Sequence, residues 1–391
     1  MSEATRAASS ALRKKVLVVA GEASGDRYGA RLMEEVRKLA PGVEFTGVGG
    51  RHMRKAGLAP LMDAEQIAVL GFFEVLTSLP LIRRAFNRCV EEMSRGVDLV
   101  LLIDYPGFNL RLASRARKAG LPVVYFVSPQ VWAWKPGRVK VIAETVTRML
   151  VIFPFEVPFY RERGVDVTFV GHPLVEILAH EGPRAPRQEA ARRHGLDPGR
   201  RIIGLLPGSR LKEARRNLPP ILGAARRLSE SHENLQFVMP VASTLTVPAV
   251  RALLSTTDAS SVVLTDGSFY EAMGLCEAAI VSSGTATVET GLLEVPMVIV
   301  YRLHPLTYSL AKRMTSLDTF GMVNLVAGRR IVPELIQSEC TPERIAAEMD
   351  KLLTDRILYE RTRRDLRAMR EKLGGEGAFG RAAEIIVQEL H

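Results

Sequence analysis

Along most of this 391-residue chain, short runs of β-branched and aliphatic residues alternate with longer stretches of helical periodicity. In the first half the runs are Lys15–Ala20, Val43–Thr46, Leu99–Ile103, Val123–Val127, Met149–Ile152 and Val167–Val170. That alternation predicts parallel sheets covered by helices. The stretch His180–Arg201 breaks the pattern, with Gly182, Pro183, Pro186, Pro198 and Gly199 among many charges, and predicts a linker with a short helix inside it. Strand-like runs resume at Arg201–Leu206, Gln236–Met239, Ser261–Thr265, Ala279–Ser282 and Met297–Tyr301. Residues 342–391 predict helices, the middle one dense in arginine. The reading is an α/β protein of two Rossmann-like, doubly wound domains, residues 1–182 and 183–391, facing across a cleft. The last helices have the option of packing back on the first domain. Ligands of such sheets sit beyond the carboxyl ends of the strands, so the loops after each run carry the interest.

Composition narrows the partners. The chain is 47% apolar and 25% charged, enough for two cores, and 53 basic against 43 acidic side chains leave a net charge of +10. Anionic partners are favoured: nucleotides, phosphorylated molecules, nucleic acid or an acidic membrane surface. Cys89, Cys276 and Cys340 are far apart, which argues against disulfides or a zinc site and for a reducing compartment. The N-terminal residues carry no secretory pattern. The apolar stretch Ile67–Ile82 is too short to span a bilayer, so the expectation is a cytoplasmic protein that at most lies on a membrane.

Several loops could carry chemistry, and each has a plainer reading. Gly21-Glu-Ala-Ser-Gly-Asp26 opens a helix and can bring backbone N–H groups to an anion through Glu22, Ser24 and Gly25; alternatively it is a tight turn with Asp26 as helix cap. Asp104, at a strand end beside a Pro-Gly turn, suits a general base or caps the next helix. The loop holding Trp132 and Trp134 could wall a sugar ring or an acyl chain, or pack on its own domain. Gly208-Ser209-Arg210 suits a diphosphate, unless Arg210 is a surface residue after a turn. Gly284, Thr285 and Ala286 begin a helix that can hold phosphate, and Glu289 one turn on can accept ribose hydroxyls; Ser283 or Thr285 can equally serve as a cap. No Asp-x-Asp occurs, so charge neutralisation without a metal or other cofactor is expected.

These loops, with Gly47-Val-Gly-Gly50, Phe153-Pro-Phe-Glu156, Gly171-His-Pro173 and Asn324-Leu-Val-Ala-Gly328, run in the order found in the lipid-A-disaccharide synthase family, which the chain resembles from residue 15 to about 340. The family usually reads Asp-Ala-Pro-Asp-Phe-Asn where this chain has Tyr105 and Gly107 at the second and fourth places, with Asp104 kept. The resemblance implies a GT-B fold and an inverting transfer of 2,3-diacylglucosamine from UDP onto 2,3-diacylglucosamine 1-phosphate (lipid X). It implies Asp104 as base, Arg210 and the Gly284-Thr285-Ala286 helix start on the diphosphate, Glu289 on the ribose and Asn324 in the same cleft. It is compatible with a homodimer. Because both substrates carry acyl chains, Leu70, Phe72, Phe73 and Leu76, followed by Arg83 and Arg84, are expected to dock on the inner membrane's cytoplasmic surface. The competing readings are a UDP-N-acetylglucosamine 2-epimerase, which would have no use for that apolar stretch, and a nucleic-acid binder. The arginines near residue 365 alternate with Glu360, Asp365 and Glu371, which reads as a solvated helix face, so no nucleic-acid partner is expected.

Overall fold

The computed structural model describes residues 14–63, 75–132, 137–255, 258, 261–302 and 319–391. They form two compact units: the first runs to Pro173 and takes in Gly375–His391, and the second is Leu174–Gly374. The division falls ahead of the 182/183 boundary read from composition. The Pro- and Gly-rich stretch behind it holds the short helix Arg187–Arg193 within the second unit.

The first unit is built on a seven-stranded sheet of β1 (Lys15–Ala20), β2 (Glu44–Gly49), β3 (Ala59–Asp63), β4 (Leu99–Ile103), β5 (Val123–Phe126), β6 (Arg148–Val151) and β7 (Val167–Phe169). The order is β3-β2-β1-β4-β5-β6-β7, and every pairing is parallel. β4 is an unbroken run of aliphatic residues, all fully buried, as expected of a central parallel strand covered on both faces. The second unit repeats the plan with β8 (Arg201–Leu206), β9 (Leu235–Pro240), β10 (Val262–Thr265), β11 (Ala278–Ser282), β12 (Met297–Tyr301) and β13 (Glu334–Ile336), in the order β10-β9-β8-β11-β12-β13. Every strand-like run in the sequence is a strand. The two that sequence reading missed, β3 and β13, are both sheet edges: β3 carries Pro60, and β13 has three residues.

In each sheet the chain winds outward one way from its first strand and then returns to wind the other way. The reversal lies between β1 and β4 in the first unit and between β8 and β11 in the second. Helix crossovers leave these points in opposite directions, so a crevice opens at the carboxyl ends of the two strands. The C-terminal helix Ala378–Gln388 completes the first unit against the helix Ala23–Leu39, with Phe379 6.2 Å from the Tyr28 ring and Arg381 Nε donating to the Val170 carbonyl at 2.8 Å.

Candidate functional site

At the first switch point, Glu22 follows β1 and Asp104 follows β4, its hydrogen-bonded neighbour. Asp104 and Tyr105 have φ of 46° and 48°, two consecutive non-glycine residues in the left-handed region. Val127, after β5, has φ of 63°. Such residues cost about 1–3 kcal/mol each and persist only where their surroundings over-determine them. Here the surroundings do so. The Asp104 N–H donates to the Phe126 carbonyl at 3.1 Å, while its own carbonyl accepts from Tyr125 Oη at 2.5 Å and from the buried Asn109 Nδ2 at 2.7 Å. Pro106 then starts the helix Pro106–Lys118 with its φ already set. Tyr105 lies over Gly21, where a Cβ would stand 2.4 Å from the ring, and stacks on Phe108 at 5.7 Å. Any side chain at position 21 would displace it.

The Asp104 carboxyl is half-buried and pushed up to about 7, first by burial and next by the Glu22 charge, against a single opposing N–H from Tyr105. A carboxyl in that range can take a proton near neutral pH. Ser24 is half-buried and Gly25 buried, with room for a Cβ only at 3.4 Å from Ala20 and 3.5 Å from Ile103, so this turn runs close over the strand ends. Asp26 does not cap its own helix. Its buried carboxylate accepts from the N–H groups of Gly50 (2.7 Å), His52 (2.9 Å) and Met53 (3.0 Å), closing the start of the helix Arg51–Lys55.

The loop after β5 packs on its own unit. Trp132 meets Phe155 edge-on at 5.0 Å and its indole donates to Glu156 Oε1 at 3.1 Å. Glu156 is buried, accepts also from the Phe153 N–H at 3.2 Å, and is pushed up to about 8 by burial. His172 is buried 5.1 Å from the Phe153 ring, and burial pushes it down to about 3. Trp134 lies outside the described residues.

At the second switch point, β8 leads into Gly208-Ser209-Arg210. Gly208 has φ of 127°, and a Cβ there would stand 2.5 Å from the Glu213 carboxyl carbon, so only glycine fits. Arg210 is exposed and begins the helix Leu211–Ser231. Glu213, in that helix's first turn, accepts from the Ser209 N–H at 3.3 Å and from Ser282 Oγ at 3.0 Å. The fully buried Asn217 ties three loops together. Its Nδ2 donates to the Pro207 carbonyl (3.0 Å) and to Ser282 Oγ (2.9 Å), and its Oδ1 accepts from the Arg302 N–H (3.0 Å). Beyond β11, the helix Thr285–Leu292 begins at Gly284 with no side-chain cap, so neither Ser283 nor Thr285 caps it; Ser283 Oγ donates to the Phe320 carbonyl at 3.4 Å. Ala286 is half-buried on its first turn. Glu289, half-buried one turn on, accepts from Tyr270 Oη at 2.8 Å.

Sequence reading passed over Glu213, Asn217, Tyr270 and Glu156 as site residues. Glu213 had a signal, since it stands at the third helical position, from which Glu reaches back to N–H groups at a helix start. Asn324, expected from the resemblance in the same cleft, has a structural task. It is buried, and both its donors and both its acceptor positions are taken, by the Val332 carbonyl (2.9 Å), Glu334 Oε1 (2.6 Å), and the N–H groups of Ile331 (2.7 Å) and Val332 (3.1 Å). It braces the chain from 320 to 334 and has no capacity left for a ligand. Of the apolar stretch, Leu70, Phe72 and Phe73 lie outside the described residues, and only the backbone of Leu76 is described, in the helix Val75–Met93. Further along that helix Leu81 and Ile82 pack on the first unit's core. Leu79, Arg83 and Arg84 are exposed along an open groove of about 620 Å³. Among the described residues no helix is long and apolar enough to cross a membrane.

The family model described as lipid-A-disaccharide synthetase matches residues 16–388. The chain belongs to the lipid-A-disaccharide synthase family. It is therefore a glycosyltransferase. A lipid-A-disaccharide synthase of Geobacter sulfurreducens is 46% identical over 377 residues, covering 96% of this chain and 97% of that one. One from Anaeromyxobacter dehalogenans is 45% identical over 379 residues, with the same coverage. Among solved structures, the UDP-GlcNAc 2-epimerase of Neisseria meningitidis bound to UDP-GlcNAc superposes with a TM-score of 0.64 at 13% identity, covering 96% of this chain and 99% of that one. The calicheamicin glycosyltransferase gives 0.58 at 17%, covering 97% and 98%. At those identities the likeness is one of fold, two Rossmann-like units of the GT-B kind, and the epimerase reading draws no support beyond it.

Proposed function

We propose that this family member condenses UDP-2,3-diacylglucosamine with 2,3-diacylglucosamine 1-phosphate, giving the β-1,6-linked disaccharide 1-phosphate and UDP. The first unit handles the acceptor and the second the UDP group. In a single displacement the acceptor 6-hydroxyl oxygen bonds to the anomeric carbon, its proton passes to the Asp104 carboxylate, and the anomeric C–O bond breaks with its electron pair leaving on UDP. The observation that carries this reading is Asp104 itself, held by a strained turn at the β1/β4 switch point with its carboxyl at about 7. A base poised there is about half ionised near pH 7 and basic enough to accept the proton as the bond forms. Arg210 and the helix start at Gly284, Thr285 and Ala286 receive the negative charge that grows on the departing diphosphate, where fixed donors help most. Gly208 and Ser209 shape that loop, Glu289 meets the ribose, and Glu22, Ser24 and Gly25 border the acceptor.

The same reading places the acyl chains and the protein on the anionic cytoplasmic face of the inner membrane through the segment Ile67–Arg88. Exposed Leu79, Arg83 and Arg84 support it, as an apolar residue beside cations suits a headgroup layer. Incubating the protein with both lipid substrates and following UDP and a disaccharide 1-phosphate by mass spectrometry tests the function. Formation of the two in equal amounts is expected. Appearance of an epimerised UDP-sugar, with no disaccharide, would overturn it.

A further inference from the structure

β10 ends at Thr265, and after the turn Asp266-Gly267-Ser268 the chain enters the helix Phe269–Gly274. This short helix is pinned at its far end. Met273 fills the space over Gly204 of β8, where a Cβ would stand 3.1 Å from the Met273 Cε, and Gly274 closes on Pro183, where a Cβ would stand 2.4 Å from the ring. Tyr270 is consequently buried, its ring edge-on to Phe269 at 5.4 Å, and it offers only its hydroxyl. That hydroxyl donates to Glu289 Oε1 at 2.8 Å.

A glutamate on the first turns of a helix has several rotamers, and ordering them on ligand binding carries an entropic cost. A bond from a buried phenol on a pinned helix settles that choice beforehand. A phenol donating to a carboxylate also leaves the carboxylate an acceptor for hydroxyl donors. The geometry points to Tyr270 as a positioning residue that sets the Glu289 carboxylate toward the two hydroxyls of the UDP ribose, and so as a determinant of the preference for a ribonucleotide. This rests on the ribose role proposed above for Glu289. Tyr270 touches no reacting atom; it acts through Glu289.

The test is calorimetry of UDP and of 2′,3′-dideoxy-UDP on the full chain, its Tyr270→Phe variant and its Glu289→Ala variant. Phe keeps the ring packing and removes only the donor. Tyr270→Phe is expected to weaken UDP about tenfold, the scale of a hydrogen bond to a charged group, and to leave the dideoxy analogue unchanged. In turnover the KM for the donor should rise with kcat held, because the ribose takes no part in bond making. Equal weakening of both nucleotides, or no weakening of either, while Glu289→Ala erases the preference for UDP, would overturn the role of Tyr270 and leave that of Glu289 standing. A preference untouched by Glu289→Ala would remove the ribose reading, and the proposal with it.

Discussion

At the β1/β4 switch point two carboxylates, Glu22 and Asp104, stand beside a backbone with two left-handed residues in a row, and burial first, with the Glu22 charge second, pushes Asp104 up to about 7. At the β8/β11 switch point the features are an exposed arginine, Arg210, and an uncapped helix start at Gly284. The carboxylates beside them already accept hydrogen bonds, Glu213 from Ser209 and Ser282 and Glu289 from Tyr270. The same strand order thus carries opposite electrostatics. One end can take up a proton near neutral pH and is strained; the other presents an arginine and an uncapped helix start and turns on glycine. The proposed displacement draws on both kinds of end: one to take a proton off a hydroxyl, the other to receive negative charge on a diphosphate.

The largest effect should come from removing the proton acceptor. Asp104→Asn is expected to lower kcat by about 10²–10⁴-fold while calorimetry finds UDP binding intact; near-parental turnover would take Asp104 out of the mechanism. Next comes the receiving end. Arg210→Ala should weaken UDP and lower kcat together, the latter by about 10²–10³-fold, because the leaving group gains charge in the transition state. Loss of affinity alone, with kcat kept, would make Arg210 a binding residue only. Smaller still is the effect on the brace beneath that loop. Asn217→Leu strands the Pro207 carbonyl, the Ser282 hydroxyl and the Arg302 N–H, and should cost about 1–3 kcal/mol in a denaturant titration, with a modest loss of UDP affinity. An unchanged unfolding midpoint would mean that the three loops hold without it.

The two ends also differ in how much of them the sequence disclosed. Strands show through because central parallel strands such as β4 are apolar runs, with β1 and β8 apolar after a charged first residue, and the loops after them follow at once. Asp104, Arg210 and Glu289 stand in short motifs next to those strands, so position along the chain nearly equals position at the switch point. Asn217 and Tyr270 escape notice because each reaches its partner across a fold distance that no local pattern encodes: Asn217 meets Arg302, and Tyr270 meets Glu289, only once the second sheet is assembled. Asn324 is the opposite case. Its motif marks it, but the polar groups it would offer a ligand are spent on Glu334 and on the backbone at Val332 and Ile331. Asp26 likewise has the spacing of a cap and is one, for a helix twenty-five residues further along. Tyr105, one of the two departures from the family pattern, packs over Gly21.

On the proposed mechanism Asp104 must be ionised to act, and burial beside Glu22 holds it near neutrality. A carboxyl raised from its ordinary value of 3.8 to about 7 is protonated below that point and basic above it, so activity must rise with pH through the raised value. The pH dependence of kcat/KM for disaccharide formation measures this directly. A tenfold gain per pH unit is expected on the acid side, levelling near pH 7. A profile already level from pH 5 upward would contradict it, because an unshifted carboxylate would then be doing the work, or none at all.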